Sequence, residues 1–332
     1  MHELIDQLKP VNILCVGDIY LDEYVFGQVT RISEEAPVPV FVHKESKYTP
    51  GAMGNVAANC KALGANVSMI GVLGNDPAST IVDMEMRERK IDTSGIVTDK
   101  SRPTTHKAKY LAGGDTRTYQ HVFRADKESR IPVDEKIEGS LLDSLFLSIQ
   151  PGPDAIILSD YGNGVITAKI LKAVIELGAS RGFIVTADSR GSIMDYEGVS
   201  CIMPNKHEVA LNGFDTSTDL KLIKAGIALR RKLDSPYLII KVGSEGMWFF
   251  DSNDETYPTH IAALQSEVAD VTGAGDTALA MFTIALSSGL SGLNSAKLAN
   301  LAAGLSVRKV GASTITLDEM KAVNERRLVA ND

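Results

Sequence analysis

Val11-Asn12-Ile13-Leu14-Cys15-Val16-Gly17 is a short, nearly continuous apolar run that ends on a glycine and an acid, Asp18. Its length and its lack of alternation read as a strand buried on both faces. Residues 67–71, 155–158, 182–187 and 237–242 read the same way. Helical patterns fall between these runs, over residues 55–63, 79–90, 135–149, 168–181 and 220–233. Apolar strands separated by helices imply an α/β fold in which a mostly parallel sheet is covered on both faces. The last third of the chain is mostly helical, over 274–288, 295–309 and 317–326. Two stretches break the rhythm, 20–46 and 104–124, with alternating segments such as Val38-Pro39-Val40-Phe41-Val42 and Tyr119-Gln120-His121-Val122-Phe123. They read as hairpin-like strands. Paired together they would form a small sheet over the carboxyl ends of the parallel strands, where open α/β sheets bind ligands. With no repeat or Pro/Ser-rich linker, residues 1–332 are expected to form one domain with that small sheet as its lid.

Composition narrows the function. The chain has 332 residues, with 34 Lys+Arg against 42 Asp+Glu and a formal net charge of −8. An acidic surface disfavours a nucleic-acid partner, which needs bases to release counterions. It leaves room for a small anion in a local positive pocket. No apolar run approaches the ~18 residues of a membrane span. The start, Met1-His2-Glu3-Leu4-Ile5-Asp6, carries acids where a signal peptide carries bases. Cys15, Cys60 and Cys201 are widely spaced and lack a CxxC pair. Reduced thiols and a cytoplasmic location are expected.

The segment richest in chemistry is Asp270-Val271-Thr272-Gly273-Ala274-Gly275-Asp276-Thr277, followed directly by a helical run. Glycines let backbone amides approach an anion, and the helix start adds N–H groups and a positive dipole end. An acid in that turn repels a static phosphate. It fits a transfer reaction in which Asp276 accepts a hydroxyl proton while the amides of Gly273, Ala274 and Gly275 hold the developing charge. The bland alternative is a glycine turn with an acid stabilising a helix start. Residues 273–278 also match the dinucleotide pattern G-x-G-x-x-G/A, but no buried strand precedes them and another helix follows, which disfavours hydride transfer. No P-loop run occurs.

Further segments are weaker alone. Gly51-Ala52-Met53-Gly54-Asn55 places glycines before a small-residue helix, with an amide able to bond hydroxyls. Asp18, after the first strand, stands where a carboxylate could accept from a polyol, or is a loop acid. In Pro204-Asn205-Lys206-His207-Glu208, Asn205 and Glu208 share a helix face and could orient Mg²⁺ or its waters, or they form an ordinary capping box. Lys241-Val242-Gly243-Ser244-Glu245-Gly246 is either a nucleotide-lining turn or a hairpin. None of the six His shows metal spacing.

Taken together and in this order, these segments resemble the ribokinase-like, or PfkB, family of carbohydrate kinases. Residues 270–276 resemble its C-terminal signature and 55–74 its N-terminal one. Within the family the nearest resemblance is to the kinase domains of ADP-heptose synthesis enzymes, which phosphorylate O1 of D-glycero-β-D-manno-heptose 7-phosphate. It rests on Val16-Gly17-Asp18-Ile19-Tyr20-Leu21-Asp22-Glu23-Tyr24 and Arg31-Ile32-Ser33-Glu34-Glu35-Ala36-Pro37-Val38-Pro39-Val40. Leu158-Ser159-Asp160-Tyr161 and Ala299-Asn300-Leu301-Ala302-Ala303-Gly304 add to it.

The resemblance implies a ribokinase-like three-layer fold and an ATP-dependent kinase using Mg²⁺, with K⁺ as a further cation. It implies Asp276 as catalytic base and Gly273, Ala274 and Gly275 as anion hole. Asn205, Ser244, Gly246 and Asn300 would line ATP, with Glu208 serving Mg²⁺ through water. Asp18, Gly51, Asn55, Lys109 and Arg124 would face the acceptor, and Asp270 and Thr272 a monovalent cation. It also implies a homodimer joined through the lid, with neither nucleic-acid nor membrane partners.

Two stretches depart from the heptose-kinase pattern. Residues 112–126 are longer than usual and keep only Gln120 of a glutamine pair, and Asp188-Ser189-Arg190-Gly191 replaces Asp-Pro-Lys-Gly. Both bear on the acceptor, so a free-sugar kinase acting on fructose or ribose is the second expectation. Candidates for clamping an acceptor phosphate are Lys107, Lys109, Arg117, Arg124 and Arg190. In bifunctional relatives a nucleotidylyltransferase domain with an HxGH motif follows; this chain has no such motif, and the kinase step alone is expected of it.

Overall fold

The first strand lies where its composition demands, with a neighbour on each side. In the computed structural model, which describes residues 1–114, 117–150, 152–264, 268–309 and 311–323, β1 (Asn12–Gly17) pairs in parallel with β4 (Asn66–Leu73) and β8 (Ala155–Asp160). Alternation along β1 sends Ile13 and Cys15 into one core and Leu14 and Val16 into the other. A strand covered on both faces has no polar side, which explains the unbroken apolar run. The sheet is completed by β5 (Asp92–Thr98), β9 (Ile184–Ser189), β10 (Cys201–Ile202), β11 (Tyr237–Lys241), β12 (Met247–Asp251) and β13 (Asp254–Ile261). Its order is β13-β12-β11-β10-β9-β8-β1-β4-β5. It is parallel from β5 to β11, whereas β12 pairs antiparallel with β11 and β13 antiparallel with β12.

Helices Met53–Ala62, Pro77–Glu88, Ala274–Ser287 and Gly292–Ser306 cover one face. Helices Glu135–Ser148, Ala168–Arg181 and Asp219–Lys232 cover the other, giving three layers. Their ends follow local chemistry. For Ala168–Arg181, the Thr167 side chain accepts from the Ile170 N–H at one end, and Gly182 closes the other at φ 73°. Two sequence expectations shift. The helix expected over 295–309 starts three residues earlier, where the Ser291 side chain accepts from Asn294 N–H. The helix expected over 317–326 is described over Leu317–Lys321, and residues from 324 onward lie outside the described part.

A second sheet, in order β3-β2-β6-β7, is built from β2 (Ile19–Ile32), β3 (Pro39–Ala52), β6 (Thr105–Gly114) and β7 (Arg117–Lys127). The two alternating stretches are therefore hairpins, and they join through a parallel β2–β6 pairing that sets Tyr20 beside Thr105 and Tyr24 beside Lys109. Gly17 makes the crossing from one sheet to the other: a Cβ there would lie 2.0 Å from the Ser159 carbonyl oxygen, so only glycine fits. No helix among the described residues is long and apolar enough to cross a membrane. Cys15, Cys60 and Cys201 are buried and unbridged.

Candidate active site

A cavity of about 800 Å³ opens between the carboxyl ends of β8, β9 and β11, the inner face of the second sheet and the start of helix Ala274–Ser287. Asp276 sits on its wall in the first turn of that helix, after Gly273 at φ 81°. Gly273, Ala274 and Gly275 line the cavity beside it. The helix start supplies a positive dipole end and N–H groups without intrahelical partners, an anion site with a carboxylate set into it.

That carboxylate is held from two sides. Asn55 Nδ2 donates to one oxygen at 2.7 Å, and the Tyr161 hydroxyl donates to the other at 2.9 Å. Asn55 is oriented in turn: Asn59 Nδ2 donates to its Oδ1 at 3.2 Å, and Thr277 Oγ1 donates to Asn59 Oδ1 at 3.2 Å. The i, i+4 spacing of Asn55 and Asn59 on one helix allows this relay. Asp276 is only 5% exposed. Burial pushes its carboxyl up to about 6, with the charge of Asp188 adding and the Asn55 hydrogen bond opposing. A carboxyl tuned this way is still ionised at neutral pH and is a better proton acceptor than an exposed aspartate.

The structure brings together the expected Gly51, Asn55, Lys109, Arg124, Asn205, Glu208, Ser244, Gly246, Thr272 and Asn300 around this cavity. Several are engaged differently from the expectation. Asn55 commits one of its two amide N–H groups to Asp276. Asn205 and Glu208 form a full capping box: Asn205 Oδ1 accepts from Glu208 N–H at 2.8 Å, and Glu208 Oε2 accepts from Asn205 N–H at 2.7 Å. Asn300 Nδ2 donates to the Ala262 carbonyl at 2.7 Å and so shapes the wall near Leu264, Ala303 and Val307.

Two expected residues stand apart from the lining. Asp18 is fully buried, and one of its oxygens accepts from the N–H groups of Tyr161 at 2.7 Å and Asn163 at 3.1 Å. It holds the loop that presents Tyr161 through that oxygen, while its other oxygen, Oδ1, is buried with no hydrogen-bond partner among the described residues. Asp270 accepts from Thr272 N–H, Thr272 Oγ1 and Gly311 N–H at 2.9, 2.7 and 3.0 Å. Its carboxylate ties two loops together. The side chain of Arg117 lies outside the described residues.

Four lining residues carried no individual role from the sequence or a different one: Tyr161 and Asp188 had none, Arg190 entered as a phosphate-clamp candidate, and Lys241 only as the start of a turn read as nucleotide-lining or a hairpin. Each stands at or just beyond the carboxyl end of a buried strand, the signal that would have found them. Lys241 Nζ meets Asp188 Oδ2 at 2.7 Å. A Cβ on Gly275 would lie 3.3 Å from that ammonium, so the cation sits against the anion-binding turn. The other oxygen of Asp188 is buried with no hydrogen-bond partner among the described residues. Burial, reinforced by Asp188, raises the Glu208 carboxyl above its ordinary value. An orphan carboxylate oxygen beside a second, strained acid is a donor set suited to a divalent cation with water ligands.

A family model described as pfkB family carbohydrate kinase matches residues 12–320. Among curated proteins, the chain is 35% identical over 313 residues to the bifunctional protein HldE of Desulfatibacillum aliphaticivorans, covering 94% of this chain and 62% of that protein. It is 37% identical over 328 residues to HldE of Geobacter metallireducens, covering 96% and 64%. The chain thus spans less than two thirds of these relatives. Among solved structures, Arabidopsis thaliana ribokinase complexed with ribose and ATP superimposes with a TM-score of 0.71 at 20% identity, covering 94% of this chain and 98% of that one. Phosphofructokinase-2 from Escherichia coli in complex with substrates and products gives 0.74 at 14% identity, with 94% and 97% covered. At such identities these two likenesses speak for the fold.

Proposed function

Because this chain belongs to the pfkB family of carbohydrate kinases, phosphotransferases that move a phosphoryl group from ATP to a sugar hydroxyl, we propose that its acceptor is a heptose 7-phosphate, phosphorylated at O1. The support is the whole-chain similarity to HldE proteins and the run at 31–40 that resembles heptose kinases. The product, a heptose 1,7-bisphosphate, would serve ADP-heptose and lipopolysaccharide core precursor synthesis.

The observation that carries the reading is the Asp276 carboxylate, buried, oriented by two donors and set in an anion-binding helix start. In the proposed mechanism Asp276 removes the proton from the acceptor hydroxyl as its oxygen attacks the γ-phosphorus. The bond to the departing ADP oxygen breaks on the opposite side. The N–H groups of Gly273, Ala274 and Gly275 hold the charge on the equatorial oxygens, with Lys241 close behind. Ser244, Gly246 and Asn300 border the nucleotide end. Mg²⁺, held by Glu208 and Asp188 through water beside Asn205, would neutralise the ATP phosphates. The second sheet acts as the lid that keeps water from competing for the phosphoryl group.

An ADP-release assay across free sugars and sugar phosphates tests the reading. Heptose 7-phosphate should give the highest kcat/KM. Efficient turnover of fructose or ribose, with no response to sugar phosphates, would replace it with a free-sugar kinase.

Because Asp276 works as a base, only its ionised form is active. With its carboxyl raised to about 6 by burial, kcat should be flat above pH 7 and fall about tenfold per unit below pH 6. A kcat constant down to pH 5 would remove Asp276 from the proton transfer.

The edge strands of the second sheet expose Val42, Tyr48, Val122 and Phe123, with Val29 beside them. An unpaired apolar edge needs a cover, and a second copy of this chain supplies one. Sedimentation at micromolar concentration should show a homodimer; a monodisperse monomer would contradict it. A reaction that consumes ATP, together with buried unbridged cysteines, fits a reducing cytoplasmic setting.

A further inference from the structure

Among the described residues five basic side chains line the cavity, and their partners separate them. Lys241 is paired with Asp188 at 2.7 Å. Lys109 lies 3.4 Å from Asp22 and donates to the Tyr24 hydroxyl. Arg124 is bound to Asp126 at 2.8 Å, and its side chain is 55% exposed at the rim. Two remain. Among the described residues Arg190 has no carboxylate within ion-pair distance. Lys107 reaches Asp126 and Glu128 only at 4.0 Å, and those acids are already held at 2.8 Å by Arg124 and Arg130.

These two cations share one feature of the cavity. Tyr20 and Tyr161 meet edge to face, with ring centroids 5.3 Å apart. Lys107 Nζ lies 4.4 Å from the Tyr20 ring, and the Arg190 guanidinium 4.2 Å from the Tyr161 ring. The aromatic faces hold both charges in place. Burial lowers the Lys107 ammonium below its usual range, with Asp126 and Glu128 opposing and Arg124 and Arg190 adding, whereas Arg190 is raised because its burial is outweighed by Tyr161 and Asp188. Two like charges fixed toward one corner, neither held in a close ion pair of its own, are placed for an anion to join them both.

The corner is also tied to the chemistry, since the Tyr161 hydroxyl is the one that donates to Asp276. An acceptor reacting at Asp276 would extend along Tyr161 and end at Arg190. We propose that Lys107 and Arg190, carried on the Tyr20–Tyr161 corner, form the subsite for a phosphomonoester dianion at the end of the acceptor remote from the reacting hydroxyl. The subsite rests on the reading of the protein as a sugar-phosphate kinase and narrows its clamp to two residues on different sheets. Arg190 supplies a planar fork matched to phosphate oxygens, and Lys107 a point charge.

Equilibrium binding to the full chain tests it, by calorimetry with heptose 7-phosphate and with the same heptose lacking phosphate. The wild type should bind the phosphorylated sugar at least about 100-fold more tightly, the range that two charge-assisted contacts supply. Arg190→Gln and Lys107→Met should each weaken that binding about 10- to 100-fold and leave the unphosphorylated heptose unaffected. Arg190→Lys should recover part of the loss. Equal binding of both sugars by the wild type, or a phosphate preference that survives both substitutions, would overturn the subsite. If phosphate-dependent binding is lost as expected but the bound sugar never receives phosphoryl from ATP, the kinase reading fails and the subsite stands.

Discussion

Asp276→Asn is expected to lower kcat by about 10²–10⁴-fold with heptose 7-phosphate, the range a positioned general base contributes. The replacement keeps the shape of the side chain. Its carbonyl oxygen can still accept from Asn55 Nδ2, and its amide can face the Tyr161 hydroxyl, the two contacts that fix Asp276 now. What it loses is the ability to take a proton, so ATP binding should persist. Stability separates this loss from unfolding. The folded carboxyl titrates near 6, above its ordinary 3.8. Its contribution to stability is therefore present below the unfolded value and lost as pH rises through about 6. At pH 8 the wild type holds a buried charge that asparagine does not, and the variant should unfold at the same temperature or higher. Near-normal kcat in a folded Asp276→Asn protein would contradict the role.

Gly273→Ala carries the second large effect. Gly273 sits at φ 81°, a left-handed conformation that costs a residue with a Cβ about 1–2 kcal/mol. The added methyl would also lie 2.6 Å from Asn55 Nδ2. Either the turn opens, moving the amides of Ala274 and Gly275, or Asn55 withdraws from Asp276. Both routes damage phosphoryl transfer, and displacing such a donor typically costs about 10²–10³-fold in turnover. Steady-state kinetics with saturating acceptor should show kcat reduced on that scale and KM for ATP raised. A variant with wild-type kcat would mean that the amides of this turn carry none of the transition-state charge.

The fold was legible where one local rule decided the outcome. The run at Val11–Gly17 had to be buried on both faces, and its alternating sides feed both cores. The hairpins over 20–46 and 104–124 were legible from alternation. Edge strand β5, Asp92–Thr98, escaped notice because its polar start, Asp92-Thr93-Ser94, carries no buried-strand signature. The two-residue β10 is too short to show any period. In the site, the placement of Asp276 and its glycines was readable because one contiguous segment contains both the glycine turn at a helix start and the acid. The partners of that acid were not. Tyr161, Asp188, Arg190 and Lys241 come from the ends of three strands that only the sheet order brings together. Asp18 shows the converse: a strand-end acid met two backbone N–H groups of a neighbouring loop, which a sequence does not display.

Phosphorus NMR of the product tests the central claim most directly. With ATP and heptose 7-phosphate, the spectrum should show ADP and one new phosphomonoester coupled to the anomeric proton, formed in equal amounts, with the original 7-phosphate signal retained. ADP accompanied only by inorganic phosphate, or a new phosphate on any hydroxyl other than O1, would contradict the account.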